Sequence, residues 1–185
     1  AGVVSGDNAI DARAANITLR RVTVTSPGSM GVYSQDAPSL LITGSSITVG
    51  GRASAIDVRG GNPGMRVDRT RLQAGPTADR LVSIDADGVV FDSVLMTGGA
   101  AGAVIFAPAT LRHVTIDTGT PGVADPLTDN GGELSGHGLL VSTAPVTLDS
   151  SVVLEPVTGT GLTCEFSNVA DAEGTGNGLP AACPN

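Results

Sequence analysis

One spacing recurs along this chain and constrains its fold more than any other feature. It runs apolar, x, apolar, two variable residues, a small or apolar residue, x, apolar. The first copy is Ile17, Leu19, Val22, Val24, and the second is Leu40, Ile42, Ser45, Ile47. Met65, Val67, Thr70, Leu72 and Val89, Phe91, Val94, Met96 follow, then Ala109, Leu111, Val114, Ile116 and Val146, Leu148, Ser151, Val153. Successive copies start 23, 25, 24, 20 and 37 residues apart. Self-similarity at such a period is the signature of a repeat architecture, in which no single unit can bury its own apolar face.

A second apolar run precedes each copy. These runs are Ala9–Ala12, Gly31–Ser34, Ala55–Val58, Leu81–Ile84, Ala103–Phe106 and Leu139–Val141, and a further one begins at Gly161–Cys164. Alternation with a period of two in small and β-branched residues is strand chemistry. Turn clusters such as Ser26-Pro27-Gly28, Gly60–Gly64 and Gly98-Gly99 punctuate the runs. No window shows a capped 3.6-residue period, so no helix is expected. Each repeat therefore predicts three short strands with a sharp corner inside the spacing. Stacked turns give every strand a neighbour about 4.8 Å away. The column Val22, Ser45, Thr70, Val94, Val114, Ser151 is expected to point inward at that corner, where small polar side chains form a ladder.

The pattern thus specifies an all-β, right-handed parallel β-helix, a solenoid of about six or seven rungs with no substantial helix. A leucine-rich repeat fits less well, because Asn is absent from the sixth position of the spacing. A left-handed hexapeptide helix is contradicted by the variable steps. A single domain over 1–185 is expected, with rungs over about 9–164, an insertion at about 117–138 where the step lengthens, and a C-terminal cap at 165–185. The rod would be roughly 30–35 Å long. No cap is evident at the N-terminal end.

Composition excludes several function classes. The chain has 185 residues, 41% hydrophobic and 15% charged, which is not a disordered balance. Net charge is −8, and all ten positive charges are Arg, spread from Arg13 to Arg112 without a basic cluster in the sequence. That argues against nucleic acid as a partner, and an aromatic content of 2% argues against base stacking. No apolar run is long enough to span a membrane. The chain does not begin with Met, so a processed form or fragment is expected, with any anchor or export signal elsewhere. Cys164 and Cys183 are expected to form a disulfide that holds the Gly-rich tail, implying an oxidising compartment.

The segments "NITLRRVTVTS", "SLLITGSSITVGG" and "ATLRHVTIDTG" resemble rungs of the bacterial right-handed parallel β-helix repeat proteins, including secreted and polymorphic outer-membrane types. The resemblance covers residues 9–164. It implies the fold and an extracellular or bacterial cell-surface location. It does not imply one activity, since such proteins include polysaccharide lyases, hydrolases, adhesins and phage tailspikes.

Aligning the first strands on Ile10, Val32, Ile56, Val82, Val104 and Leu140 predicts the outward pairs Asp11/Arg13, Tyr33/Gln35, Asp57/Arg59, Ser83/Asp85, Ile105/Ala107 and Val141/Thr143. In sugar-active relatives this face forms the carbohydrate groove. Tyr33, Gln35, Asp57, Arg59 and Asp85 are accordingly the candidate ligand-binding residues. Asp57 and Asp85 are the candidate acid and base, and Arg59 is their charge partner, because glycoside hydrolysis uses paired carboxylates and lyase chemistry needs a base. The plainer reading is an exposed ion pair of Arg59 above Asp85.

No metal site is expected. Asp85–Gly88 reads as a turn, and Asp125, Asp129, Glu133 and His137 in the insertion match no ligand spacing. Ca²⁺ is the one cofactor left open. His113 shares the outward turn position of Arg21 and Arg69 and is expected in solvent. The column Thr23, Ser46, Arg71, Leu95, Thr115, Val152 is too interrupted for an ice-binding face. No nucleophile, nucleotide or zinc motif occurs.

The leading functional expectation is a non-catalytic extracellular or cell-surface scaffold or adhesion module, with a polysaccharide or a cell-surface protein as partner. The alternatives are a carbohydrate-binding or polysaccharide-cleaving domain (a lyase or glycoside hydrolase) and a fibre subunit that associates through the solenoid end.

Overall fold

A computed structural model describes residues 8–13, 15–51, 53–60, 64–75, 77–78, 80–119, 137–141, 144–154, 157–158 and 161–169. The first turn contains β1 (Asn8–Arg13), β2 (Ile17–Arg20) and β3 (Thr23–Ser26), and the second β4 (Met30–Gln35), β5 (Leu40–Thr43) and β6 (Ser46–Val49). Then come β7 (Ile56–Arg59), β8 (Arg66–Asp68) and β9 (Arg71–Ala74), followed by β10 (Arg80–Asp85), β11 (Val89–Asp92) and β12 (Leu95–Thr97). The next turn holds β13 (Ala101–Ile105), β14 (Ala109–Arg112) and β15 (Thr115–Asp117). After the insertion lie β16 (His137–Val141), β17 (Val146–Asp149) and β18 (Val152–Val153), then β19 (Val157–Thr158), β20 (Leu162–Glu165) and β21 (Asn168–Val169).

Every third strand pairs with the one before it, so the chain winds into three parallel sheets of seven strands each. The described residues include no helix, and the fold is the parallel β-solenoid expected from the repeats. The core is a stack of columns. On the second sheet, Leu19, Ile42, Val67, Phe91, Leu111, Leu148 and Cys164 follow one another in register. The largest wholly buried side chains all fall between Leu40 and Leu111, in the four turns from β4 to β15. Among the described residues the first turn pairs with a neighbour on one side only, and its Ile10, Ile17, Leu19 and Val22 are half-buried.

The corner between the second and third sheets explains the two variable residues of the spacing. Its second residue takes a left-handed conformation: Arg21, Gly44, Arg69, Ser93, His113, Ser150 and Phe166 have φ of 45–59°. The next residue then turns inward as predicted, with Ser45, Thr70, Val94, Val114, Ser151 and Ser167 all buried. Where that residue bears a hydroxyl, it accepts from a backbone N–H of the preceding turn and donates to the carbonyl two residues back. Ser151 Oγ accepts from Val114 N at 3.0 Å and donates to Asp149 O at 2.9 Å. Ser45 and Ser167 repeat the arrangement. A non-glycine residue in this region costs about 1–2 kcal/mol, and the hydroxyls offset part of that by satisfying buried N–H groups.

Acidic side chains outside this corner hold the turns by charge. Asp92 accepts from Arg66 Nη2 at 2.8 Å and Ser93 Oγ at 3.1 Å, and lies 3.3 Å from His113 Nδ1. Burial raises its pKa, but the hydrogen bonds from His113, Ser93 and Arg66 outweigh this and hold it below the usual value. Asp149 is lowered by the Ser150 hydroxyl and by Arg112. A carboxylate with a depressed folded pKa stabilises the fold above its unfolded value of about 3.9 and loses that contribution as pH falls through the folded value. Urea denaturation is therefore expected to show stability decreasing below about pH 4, with a smaller decrease in Asp92→Asn/Asp149→Asn. An identical acid response in that variant removes these two residues from the explanation.

The register of the first sheet differs from the expected alignment at one point. Val82 pairs with Ala103 and not with Val104, whereas the expected pairing of Val104 with Leu140 holds. One residue of slip exchanges the two faces of a strand. Ile105 therefore lies in the core beneath Ile84, and Ala107 is buried. The outer face carries Val104 and Phe106 instead. Val141 pairs with Ile105 in register, and its side chain lies outside what is described. Thr143 is outside the described residues.

Candidate functional site

The outer face of the first sheet is where the sequence placed the site. Parallel pairing sets Asp11, Tyr33, Asp57, Ser83 and Val104 in one column and Arg13, Gln35, Arg59 and Asp85 in the next. Phe106 follows Ile105 at the head of the second column. The structure thus brings Tyr33, Gln35, Asp57, Arg59 and Asp85 together on neighbouring turns.

It does not leave them equally accessible. Asp11 and Arg13 are exposed, and Tyr33 and Gln35 are half-buried. Asp57 is only 3% exposed, Ser83 9% and Val104 1%. The first column is thus buried from Asp57 onward, whereas Arg59 and Asp85 in the second stay exposed, so the polar face expected over four turns is open along one column only beyond Tyr33. At Asp57 the closure has a visible cause. Arg59 reaches back along its own strand, with Nε 3.1 Å from Asp57 Oδ1 and Nη2 3.2 Å from Oδ2. The hydrogen bond and charge of Asp57 raise the Arg59 pKa, with smaller contributions from Tyr33 and Asp85. Asp85 stands directly beside Arg59 in register. The expected pairing of Arg59 with Asp85 is thus secondary to the in-strand pair with Asp57.

Arg13 and Asp11 repeat the motif at 2.8 Å. The two guanidiniums flank Tyr33, 5.2 Å and 5.9 Å from its ring centroid. The Tyr33 hydroxyl donates to Gln35 Oε1 at 2.9 Å. The ring is thus held by cations from the turns on either side.

Chemically, the arrangement is a poor acid/base pair. Asp57 is buried and held on both oxygens, so of the expected pair only Asp85 presents an exposed carboxylate. Removing Arg59 would leave the Asp57 carboxylate buried without its main partner. Arg59→Ala is expected to lose about 1–3 kcal/mol, the cost of an unsatisfied buried polar group. Urea denaturation measures this, and Asp57→Ala in the same background should recover part of it. A loss below about 0.5 kcal/mol, the scale of ordinary surface changes, overturns the pairing argument.

Among the described residues, no group of three or more His, Cys, Asp or Glu side chains is placed to hold a metal ion. Asp125, Asp129, Glu133 and Cys183 lie outside the described residues, as do residues 120–136 of the insertion and 170–185 of the expected cap. His137 opens β16, with nothing described of its side chain. His113 is exposed at the corner, as expected. Sequence reasoning missed Phe106, an aromatic 47% exposed on the strip. The pairing of Val82 with Ala103, a step of 21 residues, would have revealed it.

Fold and surface together define the class: an all-β parallel solenoid repeat protein, with no helix among the described residues long and apolar enough to cross a membrane. No protein-family model matches the chain, and neither curated proteins nor solved structures yield a match.

Proposed function

We propose that the chain is a non-catalytic scaffold or adhesion module, carried outside the cell or on a bacterial cell surface. One observation carries this reading: two of the strip's three carboxylates are occupied by arginines of their own strands. Asp11 is held by Arg13 and Asp57 by Arg59, so no two free carboxylates face a ligand. A stacked core with outward charge pairs suits a rod that displays surface. The resemblance to secreted β-helix proteins supports the location. A Cys164–Cys183 disulfide belongs to the same reading, and thiol alkylation with and without reductant tests it.

The test is incubation with acidic and neutral polysaccharides, with and without Ca²⁺. No new reducing or unsaturated ends are expected. Turnover that disappears in Asp57→Ala or Asp85→Ala would establish a lyase or hydrolase instead. A second reading, carbohydrate binding without cleavage, is favoured by the two aromatics on one face, Tyr33 and Phe106. They sit three turns apart, roughly 14 Å. Retention on a polysaccharide column, lost in Tyr33→Ala, would select it.

A further inference from the structure

The arginines have no cluster in the sequence, but winding gathers three of them. Arg20, Arg21 and Arg69 line an open groove of about 720 Å³ at the corner between the second and third sheets, together with Thr43 and Gly44. The groove has a simple origin. Each turn places one left-handed residue on this corner, and in the first three turns these are Arg21, Gly44 and Arg69. Gly44 projects nothing. Its neighbours therefore face each other across a gap of two turns, roughly 10 Å.

The groove's charge is not neutralised as it is elsewhere on the corner. On later turns Asp92 is paired with Arg66 and Asp149 with Arg112. Here Arg69 is held by Asp68 at 3.0 Å and also donates to Thr43 Oγ1 at 3.4 Å. Among the described residues Arg20 and Arg21 make no ion pair. Three guanidiniums thus share one carboxylate, on a chain of net charge −8. Guanidinium forks match the oxygens of carboxylate, sulfate and phosphate groups.

We propose that this groove binds a compact oxyanion, either free or as the terminal group of a larger ligand. The size follows from the surroundings. Asp68 bounds the groove on its third turn and Asp92 follows in register on the next, so a long polyanion running on along the corner would meet like charge. The site is on a different face from the Tyr33–Asp85 strip and does not depend on the scaffold reading.

The test is an NMR titration at low salt, following arginine Nε–Hε resonances. The probes are inorganic phosphate, inorganic sulfate, a monosulfated disaccharide and polygalacturonate. Saturable shifts at Arg20, Arg21 and Arg69 are expected with a small anion, weakened at least tenfold in Arg20→Ala/Arg21→Ala. Arg13→Ala on the strip should bind as the parent does. Gly44→Asp should abolish binding by placing a carboxylate in the gap. It should fold, since the equivalent position carries side chains at positive φ in the other turns. Inorganic ions binding as tightly as the disaccharide would mark a free anion as the ligand. A disaccharide at least tenfold tighter would mark a terminal group. No saturable response to any small anion, unchanged binding in the double variant, or binding of the polymer alone would overturn the proposal.

Discussion

Phe91→Ala is expected to cost about 3–5 kcal/mol, the range for truncating a fully buried aromatic. Phe91 is wholly buried on β11, between Val67 on one turn and Leu111 on the next. Neither neighbour is large enough to fill the space, and hydrogen-bonded strands on both sides keep the turns from closing over it. The column is continuous, so the cavity lies in the middle of the core. Urea denaturation is the measurement, with Phe166→Ala as the comparison. Phe166 is 95% exposed, and its truncation should stay within about 0.5 kcal/mol. Similar losses in the two variants would show that Phe91 is not part of a tightly packed column.

Gly98→Ala is expected to be nearly as damaging, for a reason unrelated to apolar burial. Gly98 has φ of 78°, and a Cβ there would collide with the carbonyl oxygen of Ala74. That oxygen belongs to backbone of the preceding turn and cannot rotate away. The Gly98 N–H also donates to Asp117 O at 2.9 Å, which ties it to the following turn. The left-handed conformation costs an alanine about 1–2 kcal/mol, and overpacking adds typically 1–3 kcal/mol. The expected total is about 2–5 kcal/mol by those two contributions. Gly28→Ala is the control, because nothing lies within 4 Å of its Cβ position. Equal stability of the two variants would mean that the third sheet yields at β9–β12 more readily than its packing implies.

Much of the solenoid is legible in the sequence because its periodicity is physical. The inward column at Ser45, Thr70 and Ser151 can be read in advance, since a sharp corner leaves buried N–H groups that small hydroxyls satisfy. The register at Ala103 cannot. Ala103, Val104, Ile105 and Phe106 are four apolar residues in succession, so alternation does not say which of them face the core. Only pairing with Val82 and Leu139 decides it. The burial of Asp57 is hidden for a similar reason. Polarity marks it as outward, which it is, but its closure depends on Arg59 folding back over it.

By itself the sequence determined the class of fold: three short strands per repeat, stacked in parallel, with a polar outer face on the first sheet. That follows from local spacing, because a strand period and a corner are properties of a few adjacent residues. Tertiary structure alone decided which outward groups are free and which arginines meet. Arg21 and Arg69 are far apart in the chain and two turns apart in space, and Gly44 opens the groove between them only because the turns stack in register. Winding turns distances along the chain into neighbours across it, and no local pattern encodes that conversion to the single residue.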